Sequence, residues 1–408
     1  MKRITVLVVS LLLSFVWILP ENIYAEDDEP TDLLSETSIL IDAKTGEVLA
    51  EENPDKRMYP ASITKIVTAI MAIESGKMDD VVTISENAAS VPGTQVYLVE
   101  GEQMTLRQLV QGLMINSGND AAVAIAEHLS GSEEAFAQDM NEFAKEELGL
   151  KNTHFVNPNG LPDDDHYSTA ADMAEFTRYA MQFDEFKEIV RTKEFDWKGA
   201  GWETTLYNHH KLLWRYDGAI GVKNGYTSKS KHTLVTAAER NGTSLIVVTM
   251  KNDSSEQAYQ DTIELLNYGF EHYETEKIEK GTVFTNVDGK EIKLNEDKLF
   301  THKINEGFEA KVNEDGNLII KNDVDEEIAS FPLVPDTKKS GAIKEAIGSV
   351  KVEDAEGNSL FSVLLKGSLL LLIVLFVWNF IRKRRRRKKK KLRKKRMMEE
   401  INRIKGST

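Results

Sequence analysis

The residues best suited to chemistry are a serine and a lysine three positions apart, Ser62 and Lys65, in the segment PASITK at 60–65. On a helix, positions i and i+3 share one face, so the lysine amine can reach the serine hydroxyl. A serine nucleophile needs a base, and a lysine can be that base only when neutral. Its ordinary pKa of ~10.4 must therefore fall, which burial and a nearby cation can achieve. The pair predicts a buried Lys65 beside a second positive group; the alternative is an ordinary N-cap serine.

Two later segments carry residues that such a pair could use. Ser117 and Asn119, in INSGND at 115–120, fall in a tight turn between two predicted helices. A hydroxyl and an amide there could relay a proton and hold a substrate amide, although a plain helix–helix loop remains the alternative. Lys223, in GVKNGYT at 221–227, lies on a predicted strand and could be the second cation. The edge of that strand could pair with an extended peptide.

Other common catalytic patterns are missing from the sequence. It contains no G-x-S-x-G, no H-E-x-x-H and no G-x-x-x-x-G-K-[ST] motif. With no cysteine, a disulfide framework, a thiolate metal site and a cysteine nucleophile are excluded. His209 and His210 are the one histidine cluster, and adjacent side chains on a strand or helix point apart. We therefore expect no metal site there.

Hydrophobic periodicity and turn residues predict the elements around these motifs. The predicted strands are 37–43, 47–49, 220–222, 234–238 and 245–249, and the predicted helices are 63–75, 105–115, 120–129, 133–148 and 257–268. Thr105 and Gln108 form a capping-box pattern. Helices inserted between an early hairpin and a late antiparallel meander indicate one α+β domain over 33–270. Short strands between polar turns predict a small β-domain over 271–335, followed by a polar stalk at 336–359.

Both ends of the chain predict export and membrane attachment. Residues 1–25 have the charge, apolar core and small final residue of a signal peptide. The apolar segment 360–381 would span ~33 Å as a helix, enough for a bilayer. The basic tail 382–408 would stay in the cytoplasm by the positive-inside rule. We therefore expect a single-pass protein of the cell membrane with an extracytoplasmic body. An uncleaved N-terminal anchor and a nucleic-acid-binding tail are the alternatives.

The charge of the body argues against nucleic acid as its partner. The whole chain carries a net charge of −15. Residues 26–359, however, hold 32 Lys and Arg against 63 Asp and Glu, a net charge of −31. A surface of that sign repels phosphate backbones. The cations of the tail, which follow an apolar segment directly, are better suited to anionic lipid.

The order S-x-x-K, S-x-N, K-x-G resembles that of the penicillin-recognising serine enzymes. Within them the chain is similar to the D-alanyl-D-alanine carboxypeptidases, the low-molecular-mass penicillin-binding proteins. Further matching segments are FVNPNGL at 155–161, HYSTAADM at 166–173 and LLNYGF at 265–270, so the resemblance covers about 35–270. It implies a penicillin-binding/transpeptidase-like fold, with an antiparallel sheet flanked by helices. It also implies a small C-terminal β-domain and a C-terminal membrane attachment.

The resemblance also implies roles for the motif residues. Ser62 would attack the carbonyl of the penultimate D-alanine of a peptidoglycan stem peptide, with Lys65 as base and Ser117 assisting. Water would then hydrolyse the acyl-enzyme, and β-lactam antibiotics would be covalent inhibitors. The backbone N–H groups of Ser62 and Tyr226 would form the oxyanion hole, and no metal or organic cofactor is implied. The implied substrate-binding residues are Asn119, Lys223, Asn224, Gly225, Tyr226 and Thr227.

Two positions depart from the family pattern. Asn224 stands where the third motif usually has threonine or serine, and Ser244 stands where an arginine often precedes the strand at 245–249. Arg240 could substitute for that arginine. An intact KTG at 44–46 precedes Ser62, and we interpret it as a hairpin turn. Two other functions remain open: a β-lactamase, although no Glu-x-x-Leu-Asn setting is evident between Ser117 and Lys223, and a non-catalytic module that binds wall peptides.

Overall fold

The computed structural model describes residues 30, 33–287 and 289–333. The predicted signal peptide (1–25), stalk (336–359), transmembrane helix (360–381) and basic tail (382–408) lie outside these residues and stay predictions. Among the described residues, no helix is long and apolar enough to cross a membrane.

Runs of strands and runs of helices follow one another along the described part of the chain. The strands are β1 (Thr37–Asp42), β2 (Val48–Glu52), β3 (Val81–Thr83), β4 (Gln103–Thr105), β5 (Glu194–Lys198), β6 (Glu203–Tyr207), β7 (Ala219–Thr227), β8 (Lys231–Arg240), β9 (Thr243–Asn252), β10 (Tyr273–Ile278), β11 (Val283–Thr285), β12 (Glu291–Lys293), β13 (Lys298–Lys303), β14 (Phe308–Val312), β15 (Asn317–Asn322) and β16 (Glu327–Pro332). The helices are α1 (Lys65–Glu74), α2 (Glu86–Ser90), α3 (Leu106–Ile115), α4 (Asn119–Ser130), α5 (Glu133–Glu142), α6 (Ala170–Ala180), α7 (Asp184–Arg191), α8 (Leu212–Arg215) and α9 (Ser255–His272), with a 3-10 turn at Ala61–Thr64 and a π-type turn at Phe143–Glu147.

A five-stranded antiparallel sheet of order β2-β1-β9-β8-β7 forms the centre of the fold. Strand β9 is buried on both faces, which explains its unbroken apolar run. One face of the sheet, which includes Ile39 on β1 and Val248 on β9, packs in a core with α1. The other, including Leu40 and Val247, packs against α9. The predicted α+β class and antiparallel meander are therefore correct, and β7 lies at an edge of the sheet.

Helix α1 is buried along most of its length, as its apolar sequence predicts. The predicted helix at 63–75 differs at its start, because the chain first makes the 3-10 turn that holds Ser62. In a 3-10 turn, positions i and i+3 are eclipsed, so Ser62 and Lys65 project from the same side. Gly76 follows the helix with φ of +67°, a left-handed conformation typical of a helix stop.

The second motif lies in the connection between α3 and α4, as predicted. Thr105 and Gln108 form both hydrogen bonds of the capping box at the start of α3. Helix α3 ends at Ile115 and α4 begins at Asn119, so the turn between them is short. Ser117 has φ of +65°, a conformation that lets the chain reverse direction within this turn.

Residues beyond α9 form small antiparallel sheets. The short strands predicted between polar turns over 271–335 are present, among them β11, β12 and β15. The pair of β10 and β13 contacts the hairpin of β1 and β2, since the hydroxyls of Thr45 and Thr301 lie 2.7 Å apart. The predicted division at 270/271 stays a prediction.

Candidate active site

Ser62 and Lys65 are in direct contact. The Lys65 Nζ atom lies 3.1 Å from Ser62 Oγ. Neither the 3-10 turn nor α1 has a side-chain N-cap hydrogen bond, and their N-cap residues are Pro60 and Thr64. The alternative that Ser62 is an ordinary N-cap serine is therefore wrong.

Lys65 is fully buried, as the sequence predicted. Its side chain is 0% exposed, and Nζ also donates to Asn119 Oδ1 at 2.8 Å and to the Asn159 carbonyl at 2.6 Å. Burial holds the pKa of Lys65 well below its ordinary value. The positive charge of Lys223 lowers this pKa further, while Asp120 opposes the shift. A neutral amine beside a serine hydroxyl is the arrangement that general-base catalysis requires.

Lys223 supplies the second cation that the sequence predicted. It is 1% exposed, and its Nζ donates to the backbone carbonyl of Asn224 at 2.8 Å. Burial lowers the pKa of Lys223 to about 7. Because Lys223 titrates near neutrality, its charge, and with it the pKa of Lys65, changes within the physiological pH range.

The S-x-N turn brings Asn119 into the site and fixes it there. While its Oδ1 accepts from Lys65, its Nδ2 donates to the Pro92 carbonyl at 2.7 Å. The neighbouring Asp120 is fully buried and accepts backbone N–H bonds from Val96 and Leu98. The turn is thereby tied to the segment before β4. Ser117 is 6% exposed, and within the described residues its hydroxyl forms no hydrogen bond, so its predicted part in proton transfer rests on the motif alone.

Strand β7 passes very close to Ser62 because it carries a glycine there. A Cβ on Gly225 would lie 2.7 Å from the Ser62 backbone nitrogen. Thr233, directly across from Gly225 on β8, donates its hydroxyl to the Pro60 carbonyl at 2.9 Å. These two contacts fix the 3-10 turn against the sheet.

The remaining third-motif residues lie along the same strand. Tyr226 is 58% exposed, and its ring lies 4.6 Å from that of His232. Thr227 is the last residue of β7. Its hydroxyl lies 2.7 Å from that of Ser230 in the following turn. Asn224 is half-buried, and its side-chain amide forms no hydrogen bond with another described residue.

Comparison with known proteins agrees with this geometry. A sequence model of the peptidase S11 family, described as D-alanyl-D-alanine carboxypeptidase, matches residues 24–254. The chain is 38% identical over 291 residues to D-alanyl-D-alanine carboxypeptidase DacF of Bacillus subtilis, covering 69% of this chain and 74% of that protein. The structure of penicillin binding protein 5 from Haemophilus influenzae superposes with a TM-score of 0.65 at 30% identity, covering 74% of this chain and 96% of that one. This chain belongs to the peptidase S11 family.

A third relative is D-alanyl-D-alanine carboxypeptidase DacD of Escherichia coli, 32% identical over 295 residues, which cover 68% of this chain and 74% of that protein. The predicted resemblance to the D-alanyl-D-alanine carboxypeptidases is therefore confirmed. So is the penicillin-binding/transpeptidase-like fold of the described part.

One part of this peptidase site was not predicted, namely the loop at 155–161. The Asn159 carbonyl bonds Lys65, and the Pro158 carbonyl accepts from Thr68 on α1 at 2.6 Å. Asn157 shapes the loop by accepting the Gly160 N–H at 2.7 Å. The segment was recognised as matching the family, but its action through backbone carbonyls leaves no side-chain signal of a role.

A buried histidine supports the same loop. His166 lies 2.9 Å from the Thr64 hydroxyl through Nε2, while its Nδ1 accepts the N–H of Val156 at 3.2 Å. Burial lowers the pKa of His166 to about 3. The imidazole therefore stays neutral at physiological pH, and it connects the turn of Ser62 to the loop.

The suggestion that Arg240 substitutes for a carboxylate-binding arginine is wrong. Gly225 pairs with Thr233, and Arg240 lies seven residues further along β8, about 23 Å away. Its guanidinium covers the ring of Tyr216 instead. Ser244 lies at the same remote end, opposite Glu239, so its lack of positive charge does not affect the site.

The KTG segment at 44–46 is a hairpin turn, as interpreted from the sequence. The Asp42 side chain accepts the backbone N–H groups of Lys44 and Thr45. His209 and His210 do not form a shared site, since His209 is exposed while His210 is buried 3.0 Å from the Thr236 hydroxyl.

Replacing Gly160 by alanine should impair acylation. Gly160 has φ of +83°, and a Cβ there would lie 1.9 Å from the Ala61 carbonyl, next to Ser62. We expect Gly160→Ala to displace the 3-10 turn and to slow covalent labelling by penicillin by roughly 100-fold. Gly131→Ala is the matched control, because Gly131 has φ of +86° but a Cβ there meets nothing within 4 Å. Equal labelling rates in the two variants would contradict this assignment of Gly160.

Proposed function

We propose that this member of the S11 family is a serine-type D-Ala-D-Ala carboxypeptidase. It removes the terminal D-alanine from peptidoglycan stem pentapeptides through an acyl-enzyme at Ser62. The observation that carries this proposal is the 3.1 Å contact between Ser62 Oγ and a fully buried Lys65 amine whose pKa is strongly lowered. Family membership supports the same reaction and substrate class.

In the first half-reaction Ser62 Oγ bonds to the carbonyl carbon of the penultimate D-alanine. Its proton passes to Lys65 Nζ, and the oxyanion is held by the backbone N–H groups of Ser62 and Tyr226. The peptide C–N bond then breaks, and a proton passes to the departing amine, with Ser117 as the relay. In the second half-reaction, water adds to the ester carbonyl and passes a proton to Lys65 Nζ. The ester C–O bond then breaks, and that proton returns to Ser62 Oγ.

The substrate lies in extended form beside β7. This strand is at the edge of the central sheet, so its outer backbone groups can pair with a peptide. Asn119 binds the substrate amide. Lys223, Asn224 and Thr227 recognise the terminal carboxylate, the first through positive potential and the others by hydrogen bonds. The same geometry accepts a β-lactam, which acylates Ser62 and remains attached.

The two alternative functions are less well supported. A non-catalytic wall-peptide module would not need a fully buried amine against a serine hydroxyl, an arrangement that costs stability. The β-lactamase hypothesis has no support among the relatives named above, which are carboxypeptidases and a penicillin-binding protein. We propose further that the enzyme is exported by the signal peptide and held at the cell membrane by 360–381, with its tail in the cytoplasm.

The nucleophile assignment is tested with Ser62→Ala. The full chain should release D-alanine from a muramyl pentapeptide and retain a labelled penicillin, and Ser62→Ala should abolish both. Ser90→Ala, which removes an exposed surface hydroxyl, is the control and should behave as the wild type. Absence of both D-alanine and label in the wild type would favour the binding module, while rapid turnover of the drug would favour a β-lactamase.

The buried lysines predict a bell-shaped pH dependence. Lys65 is a base only when deprotonated, so acylation should rise as pH increases through its lowered pKa. Lys223 supplies positive potential only when protonated, so acylation should fall above a pH of about 7. Rates of penicillin labelling measured across pH check this profile. Lys223→Gln should acylate slowly and lose the fall on the alkaline side; a wild-type rate that keeps rising to pH 9 would contradict the role of Lys223.

The departure at position 224 predicts a gain of function. Asn224→Thr restores a hydroxyl that can donate to the terminal carboxylate with less side-chain freedom, so D-alanine release should increase by about threefold to tenfold. Penicillin acylation should change less, because the Lys65–Ser62 contact does not involve this side chain. Asn224→Ala is the matched control and should lower release. An unchanged or lower rate in Asn224→Thr would mean that the site uses the amide well.

A further inference from the structure

An unexplained cluster of metal-ligating side chains lies outside the active site, on the pair formed by β10 and β13. Glu274 is directly opposite His302 in this antiparallel pair, and Glu276 is opposite Phe300. Because side chains alternate between the two faces of a strand, Glu274, Glu276 and His302 share one face. One ligand atom from each of the three lies within 4.8 Å of the others.

His302 is the residue that distinguishes this cluster from ordinary surface carboxylates. It is 6% exposed, and both of its ring nitrogens are buried without a hydrogen-bond partner among the described residues. Burying such groups unpaired is unfavourable, so native proteins nearly always provide a partner. The packing of Phe300 and Phe308 against the imidazole, with ring centroids 5.6 and 5.3 Å away, keeps water from its faces.

The spacing of His302 and Glu274 lies within ion-pair range and also suits two ligands of one cation. His302 Nε2 and Glu274 Oε1 are 3.7 Å apart, which is too long for a hydrogen bond. Two ligands bound to one zinc ion at ordinary bond lengths are separated by about 3.4 Å, close to this value. The Glu274 side chain is 44% exposed, so an ion can reach the cluster from solvent.

We propose that Glu274, Glu276 and His302 bind a divalent transition-metal cation of the zinc type. One imidazole and two carboxylates suit zinc and its neighbours, whereas magnesium and calcium prefer oxygen ligands alone. Water completes the coordination. The ion connects β10, the strand directly after α9, to β13, and therefore stabilises the fold beyond α9. It lies outside the Ser62 site and takes no part in the chemistry proposed there.

The test is zinc binding by the untagged full chain, purified in mild detergent and stripped with a chelator. Titration calorimetry should find one saturable site in the wild type, and saturating zinc should raise the unfolding temperature by about 5 °C. His302→Gln should weaken binding by about tenfold or more and remove the thermal shift. The Glu274→Gln/Glu276→Gln double variant, which leaves the buried histidine in place, should do the same.

The matched control is His128→Gln, because His128 Nε2 lies 3.2 Å from Asp80 Oδ2 in another histidine–carboxylate pair. It should bind zinc like the wild type. Release of D-alanine should continue in all variants, which separates this proposal from that for Ser62. Absence of saturable binding in the wild type, or equal binding by wild type and His302→Gln, would overturn the proposal.

Discussion

The contact on which the active site depends is the one between an amine that has been removed from water and a serine hydroxyl. Two of the three partners of Lys65 Nζ, Asn119 Oδ1 and the Asn159 carbonyl, can only accept hydrogen bonds. The third, Ser62 Oγ, can also donate. A neutral amine has two N–H donors and one lone pair. Its two N–H groups donate to Asn119 and Asn159, and its lone pair can accept the Ser62 hydroxyl proton. The lone pair is then directed at the Ser62 proton. Once Lys65 has taken that proton, all three of its N–H groups still have acceptors, the third being Ser62 Oγ.

The fold maintains this contact by bringing three separate segments against α1. The 3-10 turn sets Ser62 in line with Lys65, the start of α4 delivers Asn119, and the loop at 155–161 delivers the Asn159 carbonyl. Two residues in these segments, Ala61 and Ser117, adopt positive φ without being glycine. Such conformations cost about 1–3 kcal/mol each and persist only where neighbouring contacts enforce them. Both residues lie where the chain shapes the site, although other non-glycine residues, such as Lys251 and Asn305, also adopt positive φ.

The sequence predicted those features that depend on local patterns. Spacing at 62 and 65, the capping box at 105 and 108, and the apolar run of β9 each have a local physical cause, and the structure contains all three. The Asn159 carbonyl could not be predicted, because a backbone group carries no residue type. The prediction for Arg240 was wrong for a different reason. The distance from its guanidinium to the site depends on the register of β7 and β8, which the sequence does not reveal. Helix α7 was not predicted, although Phe186, Ile189 and Val190 have the spacing of one buried helix face.

A backbone contact in β7 also explains how this site tolerates asparagine in its third motif. Lys223 is held by the backbone carbonyl of residue 224, a group that every amino acid supplies. Gly225, in contrast, must remain small because the Ser62 nitrogen is so near. Position 225 is thus constrained by space, whereas the contact that position 224 makes with Lys223 does not depend on its side chain. In the proposed function, a change from hydroxyl to amide at 224 alters the contact with the substrate carboxylate, while the backbone contact of Lys223 stays the same. In the proposed function, Lys223 therefore serves both proton transfer at Ser62, by lowering the pKa of Lys65, and recognition of the substrate terminus, whereas the side chain at 224 serves recognition alone.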